Sequence, residues 1–81
     1  MVKHEASIAG KAVAVTYTGG FFVNGNKQAL LYVGTTGNVK VDMMDGGDAI
    51  TFTGLAVGYH PLNVKRIYET GTTATNIILL M

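Results

Sequence analysis

The chain has no cysteine, no tryptophan and a single proline, and only 14% of its 81 residues are charged. Without thiols there can be no disulfide and no thiolate metal site, so a small core cannot be cross-linked that way. The two histidines, His4 and His60, are far apart with no carboxylate at ligand spacing, which argues against a structural zinc site. Charge is scarce as well as balanced: the net value is +1, and the basic residues Lys3, Lys11, Lys27, Lys40, Lys65 and Arg66 are dispersed. Nucleic acid would need them clustered against several phosphates, so no nucleic-acid partner is expected. No apolar run approaches the roughly 18 residues of a membrane span, so no membrane partner is expected. Glu5 and Lys11 interrupt the N-terminal apolar residues before they could form an export signal, which predicts a soluble protein made in the cytoplasm.

What is present is apolar and extended. Hydrophobic residues make up 48%, with eleven glycines and many threonines. Glycine costs about 1 kcal/mol in a helix interior and threonine prefers strands. The expected fold is all-β: a small antiparallel β-sandwich or barrel of about six to seven strands. It forms a single β domain over residues 11–81, preceded by an N-terminal arm over 1–10 that lacks strand periodicity.

The first predicted strand is Lys11 to Tyr17, with Val13, Val15 and Tyr17 on one face, and Gly19-Gly20 ends it. Phe21 to Val23 is a short extended piece before the Asn24-Gly25-Asn26 turn. Gln28 to Gly34 is nearly all apolar, which predicts burial on both faces, hence a central position or a second, intermolecular contact. Asn38 to Gly54 reads as a hairpin: Val39, Val41 and Met43 alternate with Lys40 and Asp42, Ile50 and Phe52 alternate with threonines, and Asp45-Gly46-Gly47-Asp48 turns between them. Gly58-Tyr59-His60-Pro61 reads as a loop. In Leu62 to Glu69 the apolar phase slips between Val64 and Ile67, which predicts a β-bulge near Lys65-Arg66 that aims both cations outward. A Thr70 to Thr73 turn then feeds a last strand, Ala74 to Met81. The Gly-Thr-Thr turns near residues 34 and 71 are a short echo of each other.

Chemistry-bearing constellations are weak. Asp42, Asp45 and Asp48 lie three apart around glycines, but an EF-hand needs a glutamate at its twelfth position, where Thr53 stands. Capping of a hairpin turn is the expected role. His60 has no partner in sequence for acid–base work, and Ser7 is the only serine, so no enzyme, cofactor or metal is expected. The stretch "GTTGNVK" precedes a strand and has no lysine placed for phosphates, so it is a turn. Tyr59 and Tyr68 could serve a small barrel that binds single-stranded nucleic acid or a glycan, which is the alternative reading.

From "ALLYVG" onward the order of elements resembles small head proteins of tailed bacteriophages and phage-derived gene transfer agents. Members share "ALYVG", a "VTFTNVPAG"-like strand, "LPVRVKRV" and a terminal "TGTTATxIVAL". The counterparts are Ala29 to Gly34, Ile50 to Gly58, Leu62 to Ile67 and Thr70 to Leu80. Here Tyr59-His60 precede the proline, and the end is "IILLM" instead of a shorter apolar pair. The resemblance implies a virion structural protein, either a capsid decoration (cement) protein or a head-spike base. It would sit on the outer surface of the capsid and bind the major capsid protein and copies of itself as a trimer or pentamer.

The terminal run Ile77, Ile78, Leu79, Leu80 and Met81 carries the expected subunit interface. Burial of one large apolar side chain contributes about 1.5–3 kcal/mol, so a frayed end here would waste most of the stability of a domain this small. Alternation sends Ile77, Leu79 and Met81 to one face and Ile78 and Leu80 to the other, and a thin sandwich covers only one of them. Phe21, Phe22, Tyr59, His60 and Pro61 are weaker candidates for capsid contact. The arm, Met1 to Gly10, is expected to reach a neighbour.

Overall fold

Period-two alternation and glycine punctuation produce strands throughout. A computed structural model describes residues 9–25 and 27–81, and among the described residues there are eight strands and no helix. They are β1 (Ala12–Ala14), β2 (Phe21–Val23), β3 (Leu30–Thr35), β4 (Gly37–Met43), β5 (Ile50–Leu55), β6 (Gly58–His60), β7 (Val64–Tyr68) and β8 (Thr75–Leu80). Two four-stranded antiparallel sheets pack together as a β-sandwich. Sheet one has the order β1-β8-β3-β6 and sheet two the order β2-β7-β4-β5.

The count is eight, above the expected six to seven, because the segment read as a loop contains β6. Gly58 and the following Pro61 disfavour a strand, but β3 has an edge beside the segment, and Leu31 pairs with His60, Tyr32 with Tyr59 and Val33 with Gly58. Tertiary context overrides local preference there. The first strand is shorter than expected: β1 stops at Ala14 and the chain crosses towards sheet two. Its alternation nonetheless persists, with Val13, Val15 and Tyr17 half-buried and Ala12, Ala14 and Thr16 exposed.

The hairpin over 38–54 forms as read, with Val41 opposite Ile50 and Val39 opposite Phe52. The bulge also forms. Against β4, Arg66 pairs with Asp42 but Val64 pairs with Met43, so Lys65 is the extra residue on β7. That one insertion lets both Val64 and Ile67 face the core, each fully buried. Asn24 secures it from the neighbouring turn: its backbone N–H donates to the Lys65 carbonyl at 2.9 Å and its Nδ2 to the Val64 carbonyl at 3.1 Å. Nδ2 also donates to the Lys27 carbonyl at 2.7 Å, so this buried amide closes its own turn and the bulge together.

The core draws on both sheets: Leu31, Val33, Ile77 and Leu79 from sheet one meet Val39, Val41, Val64 and Ile67 from sheet two, with Ala74 between. Phe22, Tyr17, Phe52, Leu55, Leu62 and Met81 close its margins. The two Gly-Thr-Thr segments are the crossings between sheets, β3 to β4 and β7 to β8, and the second is tied to strand β4, which follows the first. Asn38 N–H donates to Thr73 Oγ1 at 2.8 Å, and Lys40 N–H to Thr72 Oγ1 at 3.0 Å. At this crossing a Cβ on Gly37 would run into the backbone of Thr73 and Ala74, which is why glycine stands there.

Candidate assembly surfaces

The two sheets present very different outer faces, and both follow from strand alternation. On β8, Ile77 and Leu79 point into the core while Ile78 and Leu80 point out and stay half-buried. The pairing register surrounds them with like residues. Ala12, Leu80 and Leu30 form one row across β1, β8 and β3, and Ala14, Ile78, Tyr32 and Tyr59 form the next across all four strands. Not one of these seven side chains is charged, and Tyr59 is 68% exposed. β3 explains its own near-continuous apolar run: Leu31 and Val33 are fully buried, and Leu30 and Tyr32 line this outer face.

The expected interface residues are thereby divided. Ile77 and Leu79 fill the core and Met81 packs against it, which leaves Ile78 and Leu80 at the surface. Of the residues that complete the patch, Tyr59 on β6 was singled out in the sequence for capsid contact, whereas Ala12 and Ala14 on β1 were not. The strand pattern did mark Leu30 and Tyr32, since they break the usual polar alternation of a half-exposed strand. The arm's residues 1–8 lie outside the described residues. At its end, the Gly10 N–H donates to the Met81 carbonyl at 2.9 Å.

The outer face of sheet two is polar and aromatic. Phe21 and Tyr68 pack edge to face with ring centroids 5.3 Å apart. The Arg66 guanidinium lies 5.1 Å from the Phe21 ring centre and Lys40 Nζ lies 5.2 Å from that of Tyr68. Beneath them, Asp42 Oδ1 accepts from the Ala49 N–H at 2.7 Å and the Tyr68 hydroxyl at 2.8 Å, and Oδ2 is 3.7 Å from Arg66 Nη1. Burial pushes the Asp42 carboxyl up. The Ala49 N–H, the Tyr68 hydroxyl and the charges of Arg66 and Lys65 outweigh it and hold the group below its ordinary value. The hydrogen bond to that carboxylate, with burial, raises the Tyr68 phenol. Lys65 points outward as expected, whereas Arg66 is drawn along the face towards Asp42 and Phe21.

The residues considered for capsid contact do not share a surface. Phe21 is 38% exposed on sheet two, whereas Phe22, its neighbour on the strand, turns inward opposite Ile67 and packs on the core. Tyr59 belongs to sheet one, and Pro61 follows it, exposed, at the end of β6. His60 Nε2 lies 2.8 Å from the Ala56 carbonyl and so straps the β5–β6 turn. Tyr59 and Tyr68 are on opposite sheets, and the Tyr68 ring is already flanked by Phe21 and Lys40. Asp42 caps the hairpin turn from its strand end, and Asp45 and Asp48 are exposed at the tip. Among the described residues no three carboxylate or imidazole groups come together.

An open groove lined by Val15, Tyr17, Ala74, Thr75, Asn76 and Ile77 encloses about 160 Å³. That is well below the roughly 300–1,000 Å³ of a small-molecule site. Burial raises the Tyr17 phenol at its rim, with Glu69 adding to the shift and a hydrogen bond with Thr72 opposing it. Comparison with protein-family models, with characterised proteins and with solved structures finds no match.

Proposed function

We propose that the protein is a virion structural protein, a homo-oligomer bound to the outside of a phage head as a decoration protein or spike base. The sequence resemblance supplies the setting. The uncharged outer face of sheet one is the observation that carries assembly: two rows of apolar side chains, centred on Ile78 and Leu80, stand in water in the isolated chain. With strands about 4.8 Å apart and same-face residues about 6.8 Å apart, the seven residues cover roughly 230 Å². A monomer commonly exposes a patch of this size, and each partner of a standard interface contributes about 800 Å², so the absence of charge across both rows, more than their area, supports assembly. The face is therefore one of at least two contacts in the assembly, among subunits or with the shell.

The experiment pairs Ile78→Lys and Leu80→Lys with mass measurement by light scattering and with imaging of intact particles. Wild type is expected as a trimer or pentamer at micromolar concentration and on one class of symmetry axis of the head. The double variant is expected to remain folded, run as a monomer and be missing from particles. A monomeric wild type, or a double variant that assembles unchanged, overturns the reading.

A further inference from the structure

Sheet edges differ as much as sheet faces. Among the described residues, three of the four edges, β1, β2 and β6, are three-residue strands. The fourth, β5, has six residues, Ile50–Leu55, with neither a charge nor a proline, the usual guards of a natural edge. Its backbone directions follow from a bond on the neighbouring strand. Lys40 donates its N–H away from β5, to Thr72 Oγ1 at 3.0 Å, so its pair with Thr51 is a non-hydrogen-bonded one. Both members of such a pair turn their backbone groups away from each other. The N–H and C=O of Thr51 thus face the free edge, and alternation sends those of Thr53 the same way.

Gly54 limits the stretch. At φ 67 it donates back to Asn38 Oδ1 at 3.0 Å, and the register slip opposite Gly37 and Val39 puts a bulge at this point. The usable edge is Thr51–Thr53, with two donors and two acceptors.

We propose that this edge pairs antiparallel with the same edge of a second copy, across a two-fold axis at Phe52. Only the register that joins Thr51 to Thr53 of the copy, and Thr53 to Thr51, uses all the edge groups on both strands. The occupant is a second copy because the edge is self-complementary: no charge meets its like, and the threonines form cross-strand pairs on the outer face. Phe52 meets its own counterpart on the core side. Ile50, 41% exposed, comes opposite Gly54 of the copy, where no side chain obstructs it. This two-fold joint lies on another sheet from the Ile78–Leu80 face and goes beyond the oligomer proposed above. Three residues a side make a small contact, so the joint is weak and depends on protein concentration.

Amide exchange read against concentration tests the joint. Between about 10 µM and 1 mM, exchange at Thr51 and Thr53 is expected to slow several-fold, while amides of β1 and β6 hold steady. The double variant T51K/T53K, at two exposed positions, places lysine against lysine and should stay folded but lose the concentration dependence. Because the chain has no cysteine, an oxidised equimolar mixture of Thr51→Cys and Thr53→Cys chains should give more cross-linked dimer than either alone. Exchange at both amides that is independent of concentration overturns the proposal, whether fast because the edge stays free or slow because its own chain covers it. Equal cross-linking in all three samples does the same. The Ile78→Lys, Leu80→Lys chain should retain this joint, so either proposal can fail alone.

Discussion

Asp42 joins three segments through one carboxylate: its own strand, the Ala49 end of the hairpin turn, and Tyr68 and Arg66 on β7. Its folded-state value lies below the ordinary one, so the stability it contributes is present above the unfolded value and is lost as pH falls through the folded one. The expected window is therefore below about pH 4. Asp42→Asn keeps an oxygen acceptor but cannot titrate, and it should flatten the acid limb of an unfolding curve followed by circular dichroism. An acid limb identical to wild type would mean that another carboxylate controls it. The acidic run was visible in the sequence and its capping role could be read from turn chemistry. That the first aspartate, on the strand, would be the one to cap, and would hold Tyr68 as well, depends on β7 lying beside β4.

The bulge on β7 shows how one inserted residue is stabilised by another element. Val64 and Ile67 are three apart in sequence, and that spacing announces the bulge. The sequence carries no comparable mark that Asn24 would satisfy the carbonyls of Val64 and Lys65, because a buried amide and a turn asparagine look alike in one dimension. Asn24→Ala leaves the Val64 carbonyl without its side-chain donor and is expected to lower stability by about 1–3 kcal/mol in urea unfolding. Asn24→Asp should cost more, since a carboxylate would then face two carbonyl oxygens. The β6 strand is the opposite case: its glycine and the proline after it read as a turn, and pairing with the edge of β3 makes the segment extended.

As a whole, the molecule is two-sided. Sheet one shows water an uncharged apolar face, and sheet two a closed set of cation, ring and carboxylate contacts. An assembly built on the first face should behave as hydrophobic burial does. Its mass by light scattering is expected to hold between about 0.05 and 0.5 M sodium chloride and to be strengthened by sulfate. Dissociation at high chloride would instead point to charged groups, and thus to the outer face of sheet two.

Alternation, scarcity of charge and turn residues are local properties. They were enough to make the chain all-β, to set the 38–54 hairpin and the Lys65 bulge, and to mark the C-terminal run as too apolar to be loose. Strand order is not local. Which strands lie side by side decides that Ile77 and Leu79 meet Val39, Val41 and Ile67 inside, and that Ile78 and Leu80 join Leu30, Tyr32 and two alanines outside. It also makes β5 an edge strand among the described residues and sends Phe21 and Tyr59 to opposite faces. A period of two states that a strand has two faces; only packing against a second sheet determines which face is core and which faces water.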